Sequence, residues 1–170
     1  MAEPTRYLGK YRGRVANNID PLRIGRIQVV VADVLGDTPS TWAMPSFPLA
    51  GPTMGQYVVP PVGAGVWVEF EQGDPSYPIW VGCWYGSAAE VPPDALSGPP
   101  GQHNIVLQSQ GQRTLIMSDL PGGPGITLRA PTGASIVIND AGIVISNGQG
   151  AEISMVGSTV TVNQGALTVS

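Results

Sequence analysis

The sequence is poor in charge. Asp, Glu, Lys and Arg make up only 12% of its 170 residues, about half of the usual share. Disordered chains combine high charge with few apolar residues, whereas this chain is 42% hydrophobic, so we expect it to fold. Twelve acidic residues outnumber eight basic ones. Because nucleic-acid binding depends on neutralising phosphates, we expect no nucleic-acid partner.

Cysteine and histidine occur once each, as Cys83 and His103. A single cysteine cannot form an intrachain disulfide, and one residue of each type cannot build a His/Cys metal site. Cys83 lies in the apolar run 79–84, which predicts an inert thiol in the core. No apolar stretch reaches the roughly 18 residues that cross a bilayer, and the N-terminus lacks the apolar segment of a secretory signal. We therefore expect a soluble chain that carries no signal peptide.

Glycine and proline are abundant, at 23 and 17 residues. Chain breakers at this density favour short strands and tight turns over long helices. The basic residues are also unevenly distributed, because six of the eight lie within the first 26 residues. They form either a solvated strand surface or a docking face for an acidic protein; they are Arg6, Lys10, Arg12, Arg14, Arg23 and Arg26.

The first half of the chain predicts five strands, at 11–17, 26–34, 42–49, 66–72 and 79–85, each rich in β-branched or aromatic residues. Period-two alternation places Val66, Val68 and Phe70 on a core face and Trp67, Glu69 and Glu71 on the opposite one. Five short strands within about 80 residues suit a small barrel of the oligonucleotide/oligosaccharide-binding (OB) type. We assign residues 1–88 to this domain.

Residues 89–103 are rich in proline and glycine and predict an extended, semi-rigid linker. From residue 104 to 170 the pattern changes to short alternating segments with glycines at 133, 142, 150, 157 and 165. A short strand repeated with a glycine corner indicates a β-solenoid or an intertwined β-helix, and a run of hairpins is the alternative.

The C-terminal segment predicts a homo-oligomer. A lone ribbon of such strands leaves open edges and much of its apolar surface in water, so several copies must wind around one axis to bury it. The expected core of the oligomer consists of inward aliphatic side chains: Ile136, Ile138, Ile143, Ile145, Ile153, Met155, Val160, Val162, Leu167 and Val169.

A longer motif resembles the OB domain of central spike proteins. Pro-Pro-x-Gly-x-Gly at 60–65 precedes a strand, and Gly-Asp-Pro-x-x-Pro at 73–78 precedes another strand that ends near a glycine. Spikes of this family include phage baseplate assembly protein V, R-type bacteriocin spikes and the valine-glycine repeat proteins of type VI secretion. The matching residues have scaffold roles in turns and strand entries; they are Pro61, Gly63, Gly65, Gly73, Asp74, Pro75, Pro78 and Gly82.

The resemblance implies an all-β fold, an OB barrel followed by a trimeric β-helix needle at 104–170. It also implies a structural protein with no catalytic residues and no cofactor, assembled in the bacterial cytoplasm into a phage tail or an injection particle. The barrels would dock on a baseplate hub protein, and the needle would make transient contact with the target membrane when the sheath contracts.

Two family features are missing from this sequence. Some spikes carry a lysozyme domain between the barrel and the β-helix, whereas this sequence has only the linker at that position. The C-terminal residues also lack the His-x-His iron site that closes the tip of some spikes. A separate tip protein of the proline-alanine-alanine-arginine (PAAR) kind could therefore cap the C-terminal end, with a self-closing end as the alternative.

Other candidate sites carry little chemistry. Glu69 and Glu71 are spaced like a glycosidase carboxylate pair but fit a solvated strand face better. His103 lacks a serine elbow around which a triad could form. The four tryptophans could be stacking platforms, which keeps a trimeric OB-fold module that binds glycan or nucleic acid as the alternative function.

Overall fold

The computed structural model describes residues 5–169. The chain divides into two compact units, one ending at Ala88 and the other beginning at Ala89. Nearly all the regular structure is β-strand, and the single α-helix of the described residues is α1, Ala32–Leu35. Within residues 5–169 no helix is both long enough and apolar enough to cross a bilayer. The expected all-β class is therefore confirmed.

The first unit contains seven strands and α1. The strands are β1 (Tyr11–Asn17), β2 (Gln28–Val30), β3 (Met44–Pro45), β4 (Ala50–Gly51), β5 (Met54–Gly55), β6 (Gly65–Phe70) and β7 (Pro78–Trp84). Five of them form one sheet in the order β2-β1-β6-β7-β3, and β4 and β5 pair in a small hairpin. Two backbone hydrogen bonds between Ile27 and Ala43 join the edges next to β2 and β3, so the sheet curls into a small OB-like barrel.

The core of this barrel contains the side chains that alternation predicted. Val66 and Val68 are fully buried and Phe70 is 6% exposed, which confirms the predicted core face of β6. Their buried neighbours are Val15, Ile27, Val29, Val31, Ala43 and Trp80.

Two predicted strands are shorter than expected. The segment predicted at 26–34 leaves the sheet after Val30, because the N–H groups of Val34 and Leu35 bond to the carbonyl of Val31 and begin α1. The segment predicted at 42–49 contributes only Met44–Pro45 to the sheet. Prolines at 45 and 48 supply no N–H for a ladder, which limits this strand to an edge.

The prediction of a buried Cys83 is wrong, because its side chain is exposed. Cys83 is the second-last residue of β7 and lies beyond Trp80, the last core residue of that strand. Partial burial still raises the pKa of the Cys83 thiol, which disfavours the thiolate.

The second unit is a single antiparallel sheet of eight strands. They are β8 (Ile105–Gln108), β9 (Thr114–Met117), β10 (Ile126–Arg129), β11 (Ser135–Asn139), β12 (Gly142–Ser146), β13 (Glu152–Val156), β14 (Thr159–Val162) and β15 (Leu167–Val169). Every strand pairs with the next one along the chain. Within one chain the segment is therefore the run of hairpins, because coils of a single-chain solenoid would bring parallel strands together.

The residues before β8 belong to this second unit and are not simply extended. A 3-10 turn occupies Pro93–Leu96, and another, Ala88–Glu90, begins at the last residue of the first unit. The side-chain amide of Asn104 donates to the Asp94 carbonyl at 2.8 Å, and the Asp94 carboxylate pairs with Arg129 of β10. Pro92 and Pro93 allow this turn because proline suits the first positions of a helix. A last 3-10 turn, Asn163–Gly165, joins β14 and β15.

Candidate subunit interface

On one face of the eight-stranded sheet, every residue in the two central columns has an aliphatic side chain. The register places them in two columns that cross all eight strands. The first column is Ile105, Met117, Ile126, Ile138, Ile143, Met155, Val160 and Val169, and the second is Leu107, Leu115, Leu128, Ile136, Ile145, Ile153, Val162 and Leu167. Directly opposed residues and residues two apart on a strand share a face, so these sixteen form one surface, here called the apolar face.

The apolar face is not covered within the chain. None of its sixteen residues is buried, and the exposed fraction reaches 62% at Leu107 and 60% at Val169. A contiguous apolar surface of this extent is rare on a monomeric protein and marks an interface. A cavity of about 560 Å³ opens beside Leu115, Leu128 and Ile145.

The ten residues predicted for the trimer core all lie on the apolar face, and their burial in an oligomer remains a prediction. The prediction omitted six further members in β8 to β10: Ile105, Leu107, Leu115, Met117, Ile126 and Leu128. Their alternation was visible in the sequence, at 105–107, 114–117 and 126–128. The five corner glycines all have positive φ, as corners require.

The opposite face of the sheet is mixed. Hydroxyl-bearing residues alternate there with aliphatic ones, and the Ser154 and Thr161 hydroxyls lie 2.7 Å apart across β13 and β14. Glu152 and Arg129 also lie on this side, because each is adjacent in sequence to a residue of the apolar face. At β9 and β10 this opposite face is covered within the chain, since Thr114, Ile116 and Thr127 are buried there, whereas the apolar face is not covered.

The motif residues of the OB unit lie where tight turns and close packing require them. Gly63 has φ of +88° and its carbonyl accepts from Arg14 at 3.0 Å. Gly65 has ordinary backbone angles, contrary to the predicted turn role, and instead makes room for an indole. A Cβ there would lie 2.6 Å from the ring of Trp84. Pro61 accepts from the N–H of Ala64 and so closes the turn before β6.

The turn between β6 and β7 is built as the motif predicts. Gly73 has φ of +80° and is buried. The Asp74 carboxylate accepts from the N–H of Ser76 at 2.9 Å, which confirms its predicted bond to backbone. Pro75 follows within the turn, and Pro78 is fully buried at the start of β7. Gly82 lies at a β-bulge opposite Trp67, where the register shifts.

The strongest electrostatic arrangement of this unit is structural. Asp20 is nearly buried and accepts from Nε and Nη2 of Arg26, at 3.0 and 2.7 Å. The Arg26 guanidinium holds the pKa of the Asp20 carboxyl far below its usual range, and backbone N–H groups of Ile24, Leu22 and Arg26 add to this effect against the cost of burial. Sequence inspection missed this pair, although Asp and Arg flank a loop there.

The remaining candidate residues form no catalytic arrangement. Glu69 forms an ion pair with Lys10 on the exposed strand face, while Glu71 begins the turn after β6. Trp80 is buried, and its Nε1 donates to the Gly25 carbonyl at 3.1 Å. Over residues 5–169 no cluster of three or more His, Cys, Asp and Glu side chains could hold a metal ion.

Two family models match this architecture. Residues 11–85 match the type VI secretion system/phage-baseplate injector OB domain, and residues 104–168 match the phage baseplate V C-terminal trimerisation domain. The chain belongs to the phage baseplate V family. No curated protein matches the sequence. Membership makes this baseplate V protein a structural spike component of a phage or type VI baseplate, and its second domain is of a kind that forms homotrimers.

Proposed function

We propose that three copies of this baseplate V protein bury their apolar faces against one another and form a needle. The single observation that carries the proposal is the apolar face itself, sixteen aliphatic residues in two unbroken columns. Burying even half of the area that they expose would contribute on the order of 10 kcal/mol per chain. That contribution is comparable with the whole free energy of unfolding of an ordinary domain.

The sheet edges support the same arrangement. In one chain β8 and β15 each have a strand neighbour on one side only. Unpaired edges are templates for further strands, and neighbouring copies can satisfy them while the apolar faces meet. A trimer with paired edges resists unravelling because no strand can leave without breaking contacts to two chains. Such a needle withstands axial load.

The surface of the needle suits brief contact with lipid. From Ala141 onward Glu152 is the single charged residue. Each charge that enters a bilayer carries a large desolvation cost, so a needle with few charges meets a smaller barrier. We infer that the needle makes transient contact with the target membrane and helps to pierce the envelope when the sheath contracts. The OB units dock on the baseplate hub protein, and a PAAR-type tip protein caps the end near β15.

The trimer is tested on the purified full-length protein by light scattering. The expected mass is three times the 17.7 kDa of the chain. Ile136→Asp should shift the mass toward one chain, because it places three carboxylates within the buried interface. Ser135→Asp is the matched control, since Ser135 is the neighbouring residue of β11 and faces the other side. A single-chain mass for the wild type would contradict the trimer, and equal effects of both variants would contradict burial of the apolar face.

The piercing role is tested in assembled particles from the producing strain. Particles that carry Ile136→Asp should contract but release less dye from vesicles made of target-cell envelope than particles that carry Ser135→Asp. Labelled antibody against the protein should bind at the axis of the baseplate. Full dye release by particles that contain no trimeric spike would show that another component pierces the envelope.

A further inference from the structure

The outward face of the OB barrel carries a second surface, separate from the apolar face of the second unit. Two rows run across β1, β6 and β7 in that order. In one row Arg12 pairs with Trp67, which pairs with Gly82, and in the other Arg14 pairs with Gly65, which pairs with Trp84. Each row thus contains one glycine, and the indole of Trp84 occupies the space above Gly65. We call Arg12, Arg14, Trp67 and Trp84 the Arg–Trp patch.

The patch is held in a fixed geometry. The Arg12 guanidinium carbon lies 5.6 Å from the Trp67 ring centre and 5.3 Å from that of Trp84, and the two ring centres are 6.4 Å apart. Trp84 is anchored because its Nε1 donates to the Val66 carbonyl at 3.1 Å. A cavity of about 350 Å³ lies beside Arg12, Arg14, and Trp84. Stacking on the indoles restrains the guanidinium and leaves its N–H edge free for another group.

The patch carries unneutralised positive charge. Lys10 and Glu69, on the same side of the sheet, neutralise each other in an ion pair. In contrast, no carboxylate within residues 5–169 pairs with Arg12 or Arg14. Arg14 donates one N–H group to the Gly63 carbonyl, and its other N–H groups are available to a ligand. Of the six basic residues near the N-terminus, Arg12 and Arg14 are therefore two that keep free N–H groups beside the indoles.

We propose that the Arg–Trp patch binds an extended acidic segment of a neighbouring protein in the baseplate. Charge complementarity selects the partner: guanidinium groups bind carboxylates through paired N–H···O bonds. Arg12 and Arg14 are two residues apart on one strand, so their stems are separated by about 7 Å. An extended chain spaces alternate side chains by the same distance, so the segment carries Asp or Glu at every second position. The indoles pack against the aliphatic parts of that segment.

The test measures binding of labelled peptides to the purified full-length protein by fluorescence anisotropy at fixed salt. The probe has three Glu residues alternating with Thr, and a second peptide of equal composition has its Glu residues contiguous. Replacing both arginines by Gln should weaken binding of the alternating peptide about tenfold or more. Arg12→Lys should also weaken binding, because it keeps the charge and loses the planar stack.

Arg23→Gln is the matched control, because Arg23 is a basic residue of the same unit outside the patch. Arg23→Gln removes one positive charge, half of the loss in the double variant, and should change binding less than about twofold. Four results would overturn the proposal: no binding of the alternating peptide, equal binding of both peptides, tighter binding of an oligothymidylate that depends on Arg12, or a changed oligomer mass in the double variant. The last would make the patch a contact between copies of this chain. The trimer test is separate, because it uses Ile136.

Discussion

At the scale of single residues, Asp20 shows how one side chain organises a loop. Its carboxylate accepts from three backbone N–H groups between Leu22 and Arg26 and from the Arg26 guanidinium. The guanidinium in turn lies 5.4 Å from the ring centre of Trp42. These contacts favour the charged form of Asp20, which lowers its pKa far below the usual value.

Asp20→Asn should lower the thermal midpoint of the OB unit by several degrees at pH 7, because an amide replaces one carboxylate oxygen with a donor that faces N–H groups. Since the folded pKa is depressed, the stabilisation by Asp20 is complete above the unfolded value of about 4 and is lost as the pH falls below it. The difference between wild type and variant should therefore shrink from pH 4 downward. Calorimetry measures the difference in thermal midpoint at each pH, and Asp37→Asn, at an exposed carboxylate, is the control. A difference that grows on acidification would contradict this role.

At the scale of elements, the β-hairpins of the second unit depend on their corners. The chain between β11 and β12 reverses over Asp140 and Ala141, and Gly142 follows with φ of +148°. A Cβ at Gly142 would lie 2.0 Å from the Met155 carbonyl of the next strand. This glycine is needed for close approach as well as for its backbone angle, and it lies in the middle of the sheet.

Gly142→Ala should destabilise the second unit by more than the roughly 1–2 kcal/mol that a left-handed alanine costs by itself. Gly157→Ala separates the two causes. Gly157 has φ of +58° with open space around its Cβ position, so only the angle is penalised. The midpoint of thermal unfolding and the amide exchange of β12 and β13 report the effect. Equal effects of the two substitutions would show that the contact with the Met155 carbonyl is unimportant.

At the scale of the whole molecule, the two units bury their apolar residues by different means. The barrel has its own core, with Ile27, Val29 and Val66 fully buried. The sheet of the second unit has no comparable core, since Ile116 is its one buried hydrophobic residue among those described. The first unit therefore has a core of its own, whereas we expect the second unit to need other chains to cover the apolar face.

Dilution of the purified protein should lower the unfolding temperature of the second unit and leave that of the barrel unchanged. Association stabilises a folded state by mass action, so only the unit that depends on partner chains responds to concentration. Amide exchange followed by mass spectrometry separates the two units, with peptides from β6 as the internal control. A second unit whose protection is independent of concentration at every dilution tested would show that it folds alone.

The sequence predicted several elements correctly because local patterns carried the information. Alternation in β6 identified its buried face, and the Gly-Asp-Pro motif identified the turn at Asp74. The prediction of a buried Cys83 was wrong. Its apolar neighbours suggested burial, but exposure near the end of a strand depends on where the barrel core ends. The sequence also did not reveal the Arg–Trp patch, since contacts across β1, β6 and β7 depend on register.

Composition and periodicity alone determined that this protein is built from short strands, with a barrel-forming half and a half that cannot bury its own aliphatic residues. Both conclusions follow from side-chain spacing along one strand, which is a local property. Only the tertiary structure decided which strands are neighbours, and thereby that sixteen aliphatic residues share one face and that Arg12 lies beside two indoles. Strand pairing joins residues far apart in sequence, so the energy that selects it is absent from any short stretch.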